Sequence, residues 1–307
     1  MTSVLRTMLY VPANSWRMIQ NATSEGADGV ILDLEDACPI LEKETARIFA
    51  RDAIPSLKES GLEVFARVNS LETGLTKADV RYVTVPGLDG IMLAKTETSS
   101  HVKTLDELLG EAEKKKHMEP GSVKVIALIE TPLGILNVQE IIGASPRVIA
   151  VAFGAGDYSR EMGAGMGVTQ LSPAEYFPMV LYARSALAVA ARAAGIQAID
   201  TPFFGLVIDN QGLAEETKKV KLLGFSGKQV THPRHVTVVN EVFTPAQQEL
   251  DFANSVVKAY EAARAKGLGA TTLGGKMIDF GSFKRAQSLL ALAESIDSKG
   301  RGAAARG

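Results

Sequence analysis

Short apolar runs alternate with longer amphipathic stretches along most of the chain. Eight of these runs are predicted strands, and polar residues confined to the ends of a run, as in KVIALI, are typical of parallel strands covered on both faces. The predicted strands lie at residues 8–12, 29–34, 63–68, 90–94, 124–129, 148–153, 198–201 and 225–230. Helical periodicity between them predicts helices at residues 16–25, 42–59, 104–117, 135–142, 172–194 and 211–223.

The repeated order of strand and helix predicts the α/β fold class and a (β/α)8 TIM barrel. An open, doubly wound sheet is the alternative fold. The segment PANSWRM after the first strand lacks the glycine-rich fingerprint of a dinucleotide-binding sheet. This difference favours the barrel.

The pattern changes after the eighth predicted strand. A long amphipathic helix is predicted at residues 243–265, then a glycine-rich loop and a second helix at 283–296. The last ten residues contain no large apolar side chain. We therefore predict a TIM-barrel catalytic domain at residues 1–240, a C-terminal helical extension at 241–297 and a disordered tail at 298–307.

Composition narrows the class of partner. Hydrophobic residues form 46% of the 307 residues and charged residues 22%, which is the balance of a globular protein. The formal net charge is −2, so the chain has no basic field for nucleic acid or an anionic membrane, and a small metabolite is the expected partner. With Cys38 as its single cysteine and no apolar run of about 18 residues, the chain is expected to be cytoplasmic.

Charged residues follow several predicted strands, where the catalytic groups of such barrels lie. Glu130 in ALIET and Asp157 in GAGDY follow the fifth and sixth strands, so the two carboxylates are expected to lie close together. Carboxylates in a poorly hydrated site repel one another unless a cation joins them. Because Mg2+ is commonly held by one or two carboxylates with water, we predict a magnesium site on Glu130 and Asp157.

Two further features indicate an acidic substrate. Gly156 lets the backbone approach a bound ligand, and Arg67 in ARVN has the planar fork that holds a carboxylate. These residues predict a site for a small 2-oxo or 2-hydroxy acid chelated to the metal. The alternative for Arg67 is a structural pair with a carboxylate such as Asp33 or Glu35 in LDLEDA. Lys95 is a competing Schiff-base candidate, but nearby carboxylates would keep it charged.

An ordered set of segments carries a family resemblance. The segments are LYVPANSWRM, LDLEDACPILEKETAR, VFARVN, GIMLAKTE, ALIETPLGILN, AFGAGDY, ARAAGIQAIDTPF, GFSGKQVTHP and GGKMID. Over residues 8–291 the chain resembles the citrate lyase beta subunit-like family of the HpcH/HpaI aldolase superfamily, which includes malyl-CoA and citramalyl-CoA lyases. The resemblance implies a magnesium-dependent TIM barrel that makes or breaks a carbon–carbon bond between a 2-oxo acid and an acetyl thioester.

The resemblance also implies roles for individual residues. It places the metal ligands at Glu130 and Asp157 and the carboxylate-binding arginine at Arg67. In the GKMID motif it implies that Asp279 is the acid/base on a C-terminal helical lid extension, here residues 241–297, and such a lid often serves a neighbouring subunit. A homo-oligomer, either a trimer or a hexamer, is therefore expected.

The expected activity is magnesium-dependent cleavage of a 3-hydroxy-3-carboxyacyl-CoA, of the citramalyl-CoA or malyl-CoA type. The products would be acetyl-CoA and a 2-oxo acid, which could be pyruvate, glyoxylate or oxaloacetate. The alternatives are a citrate lyase beta subunit acting on a carrier-protein thioester and a noncatalytic binding barrel. Arg17 and Lys43 are candidates for contacts with CoA phosphates, and a solvated helix face explains both equally well.

Overall fold

Eight parallel strands form the centre of the molecule in the computed structural model, which describes residues 4–163 and 173–304. The strands are β1 (Thr7–Pro12), β2 (Gly29–Asp33), β3 (Glu63–Val68), β4 (Gly90–Leu93), β5 (Lys124–Ile129), β6 (Val148–Phe153), β7 (Gln197–Asp200) and β8 (Gly227–Val230). Each strand pairs with the next along the chain, and β1 also pairs with β8, which closes the barrel. The predicted (β/α)8 fold is confirmed.

Alternation of side chains along the strands produces two apolar layers. One cluster fills the barrel and includes Ile31, Phe65 and Ile126, while a larger one lies between the strands and the helices. Full burial of an aliphatic or aromatic side chain of this size stabilises a fold by about 1.5–3 kcal/mol. Gly90 begins β4 without a side chain because a Cβ there would lie 2.9 Å from the Phe65 ring and 2.8 Å from the Lys124 carbonyl oxygen.

Helices follow the strands around the barrel. They are α1 (Trp16–Asn21), α2 (Lys43–Glu59), α3 (Thr76–Val83), α4 (Ser99–Lys115), α5 (Pro132–Leu136), α6 (Val138–Ile142), α7 (Ala155–Glu161), α8 (Pro173–Ala194), α9 (Asn210–Leu223) and α10 (Arg234–Phe243). The predicted helix at 172–194 begins within the segment 164–172, which lies outside the described residues. None of the described helices is long and apolar enough to cross a membrane.

Three of these helices are absent from the sequence-based prediction. In α3 the polar residues Thr76 and Asp79 are buried, so the pattern of apolar residues does not reveal the helix. The helix α7 is short and follows a glycine-rich turn. The helix α10 ends at Phe243, where the prediction began one long helix, and Pro245 lies in the short break that follows.

The C-terminal segment has its own apolar core. It contains α11 (Gln247–Ala265), β9 (Thr271–Leu273), β10 (Lys276–Ile278) and α12 (Phe280–Ala304). The core includes Val256, Tyr260 and Phe283, and the rings of Tyr260 and Phe283 stack with centroids 4.8 Å apart. The predicted glycine-rich loop contains a hairpin, because Gly274 and Gly275 both adopt positive φ, as a two-residue type I′ turn requires.

The chain divides into two compact units, Met1–Phe243 and Thr244–Gly307. The predicted boundary after residue 240 falls inside α10. The helix α12 continues to Ala304, whereas the prediction placed a disordered tail from residue 298. Alanines at 303 and 304 and the absence of proline there are compatible with a helix, and residues 305–307 lie outside the described part of the chain.

Candidate active site

The carboxyl ends of the strands and the loops after them surround a cavity of about 510 Å³. Its polar lining residues are Tyr10, Asp33, Asp36, Arg67, Glu130, Asp157, Thr201, Gln229 and Thr231. The other lining residues are Pro12, Met18, Ala37, Leu128, Gly154, Ala155, Gly156, Pro202 and Phe204. Four of the predicted site residues, Arg67, Glu130, Gly156 and Asp157, therefore line a single cavity.

Glu130 directly follows β5 and is 3% exposed. Its Oε1 accepts a hydrogen bond of 2.8 Å from the backbone N–H of Lys95. On the other side of the carboxylate, a Cβ at Gly154 would overlap Glu130 Oε2 and Cβ. The carboxylate thus occupies a space that is available only because residue 154 is glycine.

The environment of Glu130 opposes its negative charge. Burial, and next the neighbouring carboxylate of Glu35, raise the pKa of Glu130 to about 8. Arg67 and the Lys95 backbone N–H act in the opposite direction, and Asp157 raises the pKa further. Without an added cation, the Glu130 carboxyl therefore holds its proton at neutral pH.

Asp157 lies in the first turn of α7, directly after β6. Its Oδ1 lies 2.5 Å from Nη1 of Arg160, one helical turn further along. The Arg160 side chain is 62% exposed, so this ion pair contributes only about 0–1 kcal/mol and can be displaced. Asp157 therefore keeps a carboxylate that a ligand in the cavity can reach.

Arg67 lies next to the last residue of β3, and its guanidinium contacts two acidic side chains. Nε and Nη2 donate to the two carboxylate oxygens of Asp33 over 2.8 and 2.5 Å, and Nη1 lies 2.9 Å from Glu35 Oε2. The guanidinium carbon lies 4.9 Å from the centre of the Tyr10 ring. The structural pairing anticipated for Arg67 is present, and the residue lines the cavity as well.

Lys95 is held as a charged group. Its Nζ lies 3.5 Å from Glu35 Oε1. Burial acts to lower the pKa of Lys95, but the charges of Glu35, Asp157, Asp36 and Glu130 outweigh it and raise the pKa. A Schiff-base lysine needs the opposite shift, so the structure argues against that role.

Two residues that line the cavity, Tyr10 and Gln229, were missed by the sequence-based prediction. Tyr10 Oη lies 2.8 Å from Gln229 Oε1, and burial raises the pKa of the Tyr10 phenol above its usual value. Gln229 is buried in β8, and polar residues inside strands are the one signal that could have identified the pair. The sequence does not show that they line the cavity, because this depends on the register of β1 and β8.

Gly156 also lines the cavity, but the space around it is less restricted than at Gly154. A Cβ at residue 156 would meet the Phe204 ring at 3.7 Å, which is an ordinary contact. The strict requirement for glycine thus falls at residue 154.

Lys43 requires a correction. The side chain is buried, and its Nζ donates to the carbonyl oxygens of Leu34 and Glu35 and to Asn69 Oδ1, over 2.6, 2.8 and 2.8 Å. All three ammonium hydrogens are engaged, so no donor remains for a CoA phosphate. The prediction failed because periodicity does not show which residues of the first turn of α2 turn inward. Arg17, the other candidate, is exposed on α1.

Asp279 belongs to the second unit, between β10 and α12. Its Oδ1 accepts hydrogen bonds of 2.8 Å from both the backbone N–H and the hydroxyl of Ser282. These bonds lower the pKa of Asp279, which is therefore an ionised helix cap in this structure.

Among the described residues, no group of three or more His, Cys, Asp or Glu side chains forms a metal-binding cluster. A divalent ion with several water ligands needs only one or two carboxylates. The buried, proton-retaining Glu130 and the nearby Asp157 fit such an ion, because its charge would offset the repulsion between them. A closed parallel barrel with an acidic cavity at the carboxyl ends of its strands is typical of TIM-barrel enzymes, and the chain has this architecture.

Comparisons with known proteins extend this assignment. The HpcH/HpaI aldolase/citrate lyase family model matches residues 6–233. The chain is 37% identical to citrate lyase subunit beta of Leuconostoc mesenteroides subsp. cremoris, over 96% of each chain. It is 33% identical to the L-malyl-CoA/beta-methylmalyl-CoA lyase of Cereibacter sphaeroides strain ATCC 17025, over 95% of this chain and 96% of the relative.

A solved structure is similar over nearly the full length. It is the CitE protein from Mycobacterium tuberculosis in complex with magnesium, acetoacetate and coenzyme A. The TM-score is 0.75 and the identity 27%, with 95% of this chain and 98% of that chain covered. The chain belongs to the HpcH/HpaI aldolase/citrate lyase family, which confirms the resemblance seen in the sequence motifs.

Proposed function

We propose that this chain is a magnesium-dependent carbon–carbon lyase. Its substrate is a 3-hydroxy-3-carboxyacyl-CoA of the citramalyl-CoA or malyl-CoA type, and its products are acetyl-CoA and a 2-oxo acid. The observation that carries the proposal is the meeting of Arg67, Glu130 and Asp157 in one cavity at the strand ends. Family relatives named as citrate lyase beta subunits and malyl-CoA lyases support it.

Glu130 and Asp157 are the residues that would hold Mg2+. When bound, the metal supplies Lewis-acid stabilisation of negative charge on the substrate hydroxyl oxygen. The backbone N–H of Lys95 fixes one oxygen of Glu130, so this carboxylate is positioned before any ligand arrives. Magnesium in the solved complex of the M. tuberculosis CitE protein supports the choice of metal.

Arg67 would bind the carboxylate next to the reacting carbon. Three of its N–H groups contact Asp33 and Glu35, and an arginine has about five such donors, so two are left for substrate. Because Asp33 and the Tyr10 ring fix the plane of the guanidinium, it orients the acid without rearranging. Charged Lys95 adds positive potential near Glu35.

Asp279 is the proposed acid/base at the acetyl methyl group. As an ionised carboxylate it is in the form that removes a methyl proton, which is the condensation direction. In cleavage the same carboxyl would return a proton to the enolate carbon. We propose that residues 241–297 form a lid, that the enzyme is a homo-oligomer, either a trimer or a hexamer, and that Asp279 serves a neighbouring subunit.

The surrounding contacts are also part of the proposal. Arg17 remains the candidate for a CoA phosphate, since it is exposed on α1, whose Met18 lines the cavity. We place the enzyme in the cytoplasm, a location that suits its single cysteine, the buried and unpaired Cys38.

A second candidate is a citrate lyase beta subunit acting on a carrier-protein thioester. The 37% identity to the citrate lyase subunit beta of L. mesenteroides favours it. In this version the cavity chemistry is unchanged and the thioester carrier differs.

A coupled assay tests both candidates. Malyl-CoA, citramalyl-CoA, citryl-CoA and a citryl carrier-protein thioester are offered to the full chain with Mg2+, and again with a chelator. Metal-dependent cleavage of a CoA thioester supports the main proposal, and cleavage of the carrier thioester alone supports the second candidate. Absence of cleavage, or equal rates with the chelator, would show that both are wrong.

A further inference from the structure

The side-chain amide of Gln229, which lines the cavity, has a fixed orientation. Its Nε2 donates to the carbonyl oxygens of Phe153 and Asp200, over 2.9 and 3.1 Å. Carbonyl oxygens only accept hydrogen bonds, so the amide nitrogen must lie on this side and Oε1 on the other. Both amide hydrogens are used, and Gln229 has none left for a ligand.

This orientation determines where the Tyr10 hydroxyl hydrogen points. Tyr10 Oη lies 2.8 Å from Gln229 Oε1 and 3.3 Å from Met92 Sδ, and both of these atoms only accept, so the hydroxyl hydrogen is used within the protein, mainly on the closer and stronger acceptor, Gln229. Burial keeps the phenol neutral. What Tyr10 offers to any further neighbour is therefore an oxygen with lone pairs and no hydrogen.

Arg67 in the lining and Lys95 outside it supply positive charge near the cavity, and Lys95 is paired with Glu35. Arg67 is the only cationic residue among the described residues that line the cavity. Two of its N–H groups donate to Asp33, and Nη1 forms an ion pair with Glu35 over 2.9 Å. The sequence of residues 164–172, which the structure does not describe, contains no Lys, Arg or His. A substrate carboxylate bound by Arg67 would use the two donors that remain.

We propose that Tyr10 and Gln229 form a neutral floor that determines specificity, and that the 2-oxo acid carries a small uncharged substituent. This rests on the proposed function and selects the class of pyruvate and glyoxylate over oxaloacetate. A hydrogen atom or a methyl group as the substituent makes no hydrogen bonds to water, so it loses none when it contacts the floor. A second carboxylate would lose its hydrogen bonds to water on entering the cavity. It needs hydrogen-bond donors there, but the floor presents oxygen lone pairs.

The first test separates charge from size. Binding of pyruvate, freshly dissolved oxaloacetate and 2-oxosuccinamate, in which the distal carboxylate of oxaloacetate is replaced by an uncharged amide, is measured by calorimetry with the full chain and Mg2+. Pyruvate and the amide are expected to bind at least about tenfold more tightly than oxaloacetate, because buried groups without partners reject a ligand strongly.

Each other outcome has a definite meaning. Equal affinity for the amide and oxaloacetate, whether strong or weak, overturns the floor and leaves the proposed lyase function standing. If none of the three ligands binds in the presence of Mg2+, the proposed function itself fails, and the inference fails with it.

The second test releases the Tyr10 hydroxyl. In Gln229→Met the amide acceptor is lost and the weaker acceptor Met92 Sδ remains, so the hydroxyl hydrogen can turn towards a carboxylate, and the preference for the amide should fall several-fold. Adding Tyr10→Phe should abolish this gain. Gln197→Met is the matched control. Gln197 accepts a hydrogen bond from the Leu5 N–H outside the cavity, so its substitution should leave the preference for the amide unchanged.

Gln229→Lys is a second variant that tests the floor if Gln229→Met does not fold. Lysine can still donate to the carbonyl oxygens of Phe153 and Asp200, and it adds a cation at the floor. Oxaloacetate affinity should rise several-fold, while the unfolding temperature reports whether the fold is kept. If a folded Gln229 variant keeps the wild-type preference, the floor does not determine specificity.

Discussion

Lys95 donates its backbone N–H to Glu130 Oε1 over 2.8 Å, and it does so from a left-handed conformation with a φ of 50°. A residue with a side chain pays roughly 1–2 kcal/mol for this conformation. The unusual backbone thus aims a main-chain donor at the buried carboxylate. Substitution of Lys95 by any residue except proline leaves this donor in place.

Replacement of Glu130 by glutamine should abolish Mg2+ binding without unfolding the barrel. Glutamine has the same shape and can still accept from Lys95, but it cannot supply the negative charge that a hard cation needs. Calorimetric titration with Mg2+ checks the affinity, and thermal unfolding checks the fold. Retained wild-type affinity in Glu130→Gln would show that this carboxylate does not hold the metal.

The metal-free enzyme should lose stability as the pH rises from 4.5 to about 8. Within this window the folded Glu130 holds a proton that the unfolded chain has released, since its pKa rises from 4.5 to about 8 on folding. The cost approaches about 1.4 kcal/mol per pH unit. Denaturation in a chelator from pH 4 to 9 should show this slope in the wild type, and a reduced one in Glu130→Gln. Parallel curves would contradict the shift.

Asp157→Asn should lower kcat/KM at least about 100-fold while the fold is kept. The carboxylate is half of the proposed metal site, whereas its ion pair with exposed Arg160 contributes only about 0–1 kcal/mol to stability. Steady-state kinetics with Mg2+ measure the effect. Arg160→Ala is the control, because it breaks the same pair and keeps the carboxylate. Equal loss of activity in both variants would point to the pair instead of the metal.

Asp279→Ala should retain binding of the 2-oxo acid and lose proton exchange at the acetyl methyl group. The residue is placed in proton transfer, while Arg67, Glu130 and Asp157 bind the acid. Exchange of deuterium into acetyl-CoA, followed by mass spectrometry, measures this step. Ser282→Ala removes one of the hydrogen bonds to Asp279 and should retain most of the exchange. Unchanged exchange in Asp279→Ala would remove this residue from the mechanism.

Lys43→Met should destabilise the protein by about 2–4 kcal/mol and leave the affinity for CoA unchanged. The substitution strips the carbonyl oxygens of Leu34 and Glu35 and the Asn69 side chain of their buried partner. Chemical denaturation measures the loss, and the KM for the thioester tests the affinity. A weaker affinity for CoA with normal stability would instead restore the phosphate role.

The barrel could be predicted because parallel strands covered on both faces leave a clear signal. All eight strands lie where the apolar runs placed them, to within a few residues. Helix α3 was missed because Asp79 turns inward to receive hydrogen bonds from Asn69, so a buried polar residue breaks the apolar pattern. The hairpin at Gly274 and Gly275 was missed because its strands are only three residues long.

The site could be predicted in part, for a related reason. Glu130, Asp157 and Arg67 stand at strand ends, where the fold class alone indicates which way they face. Tyr10 and Gln229 lie inside strands, and only the closed register brings them together. The role of Lys43 was wrongly predicted because its position near the start of a helix does not show that three hydrogen-bond acceptors lie next to its ammonium group.

Gly154 gives the site an unusual vulnerability to mutation. The first carbon of any other side chain would fall on the atoms of Glu130, so even alanine must displace that carboxylate. In a library covering every position, residue 154 would therefore be as intolerant as the acidic residues, although it carries no functional group. Loss of activity on substitution would there reflect lost space, and enlarging a neighbouring residue could not restore it.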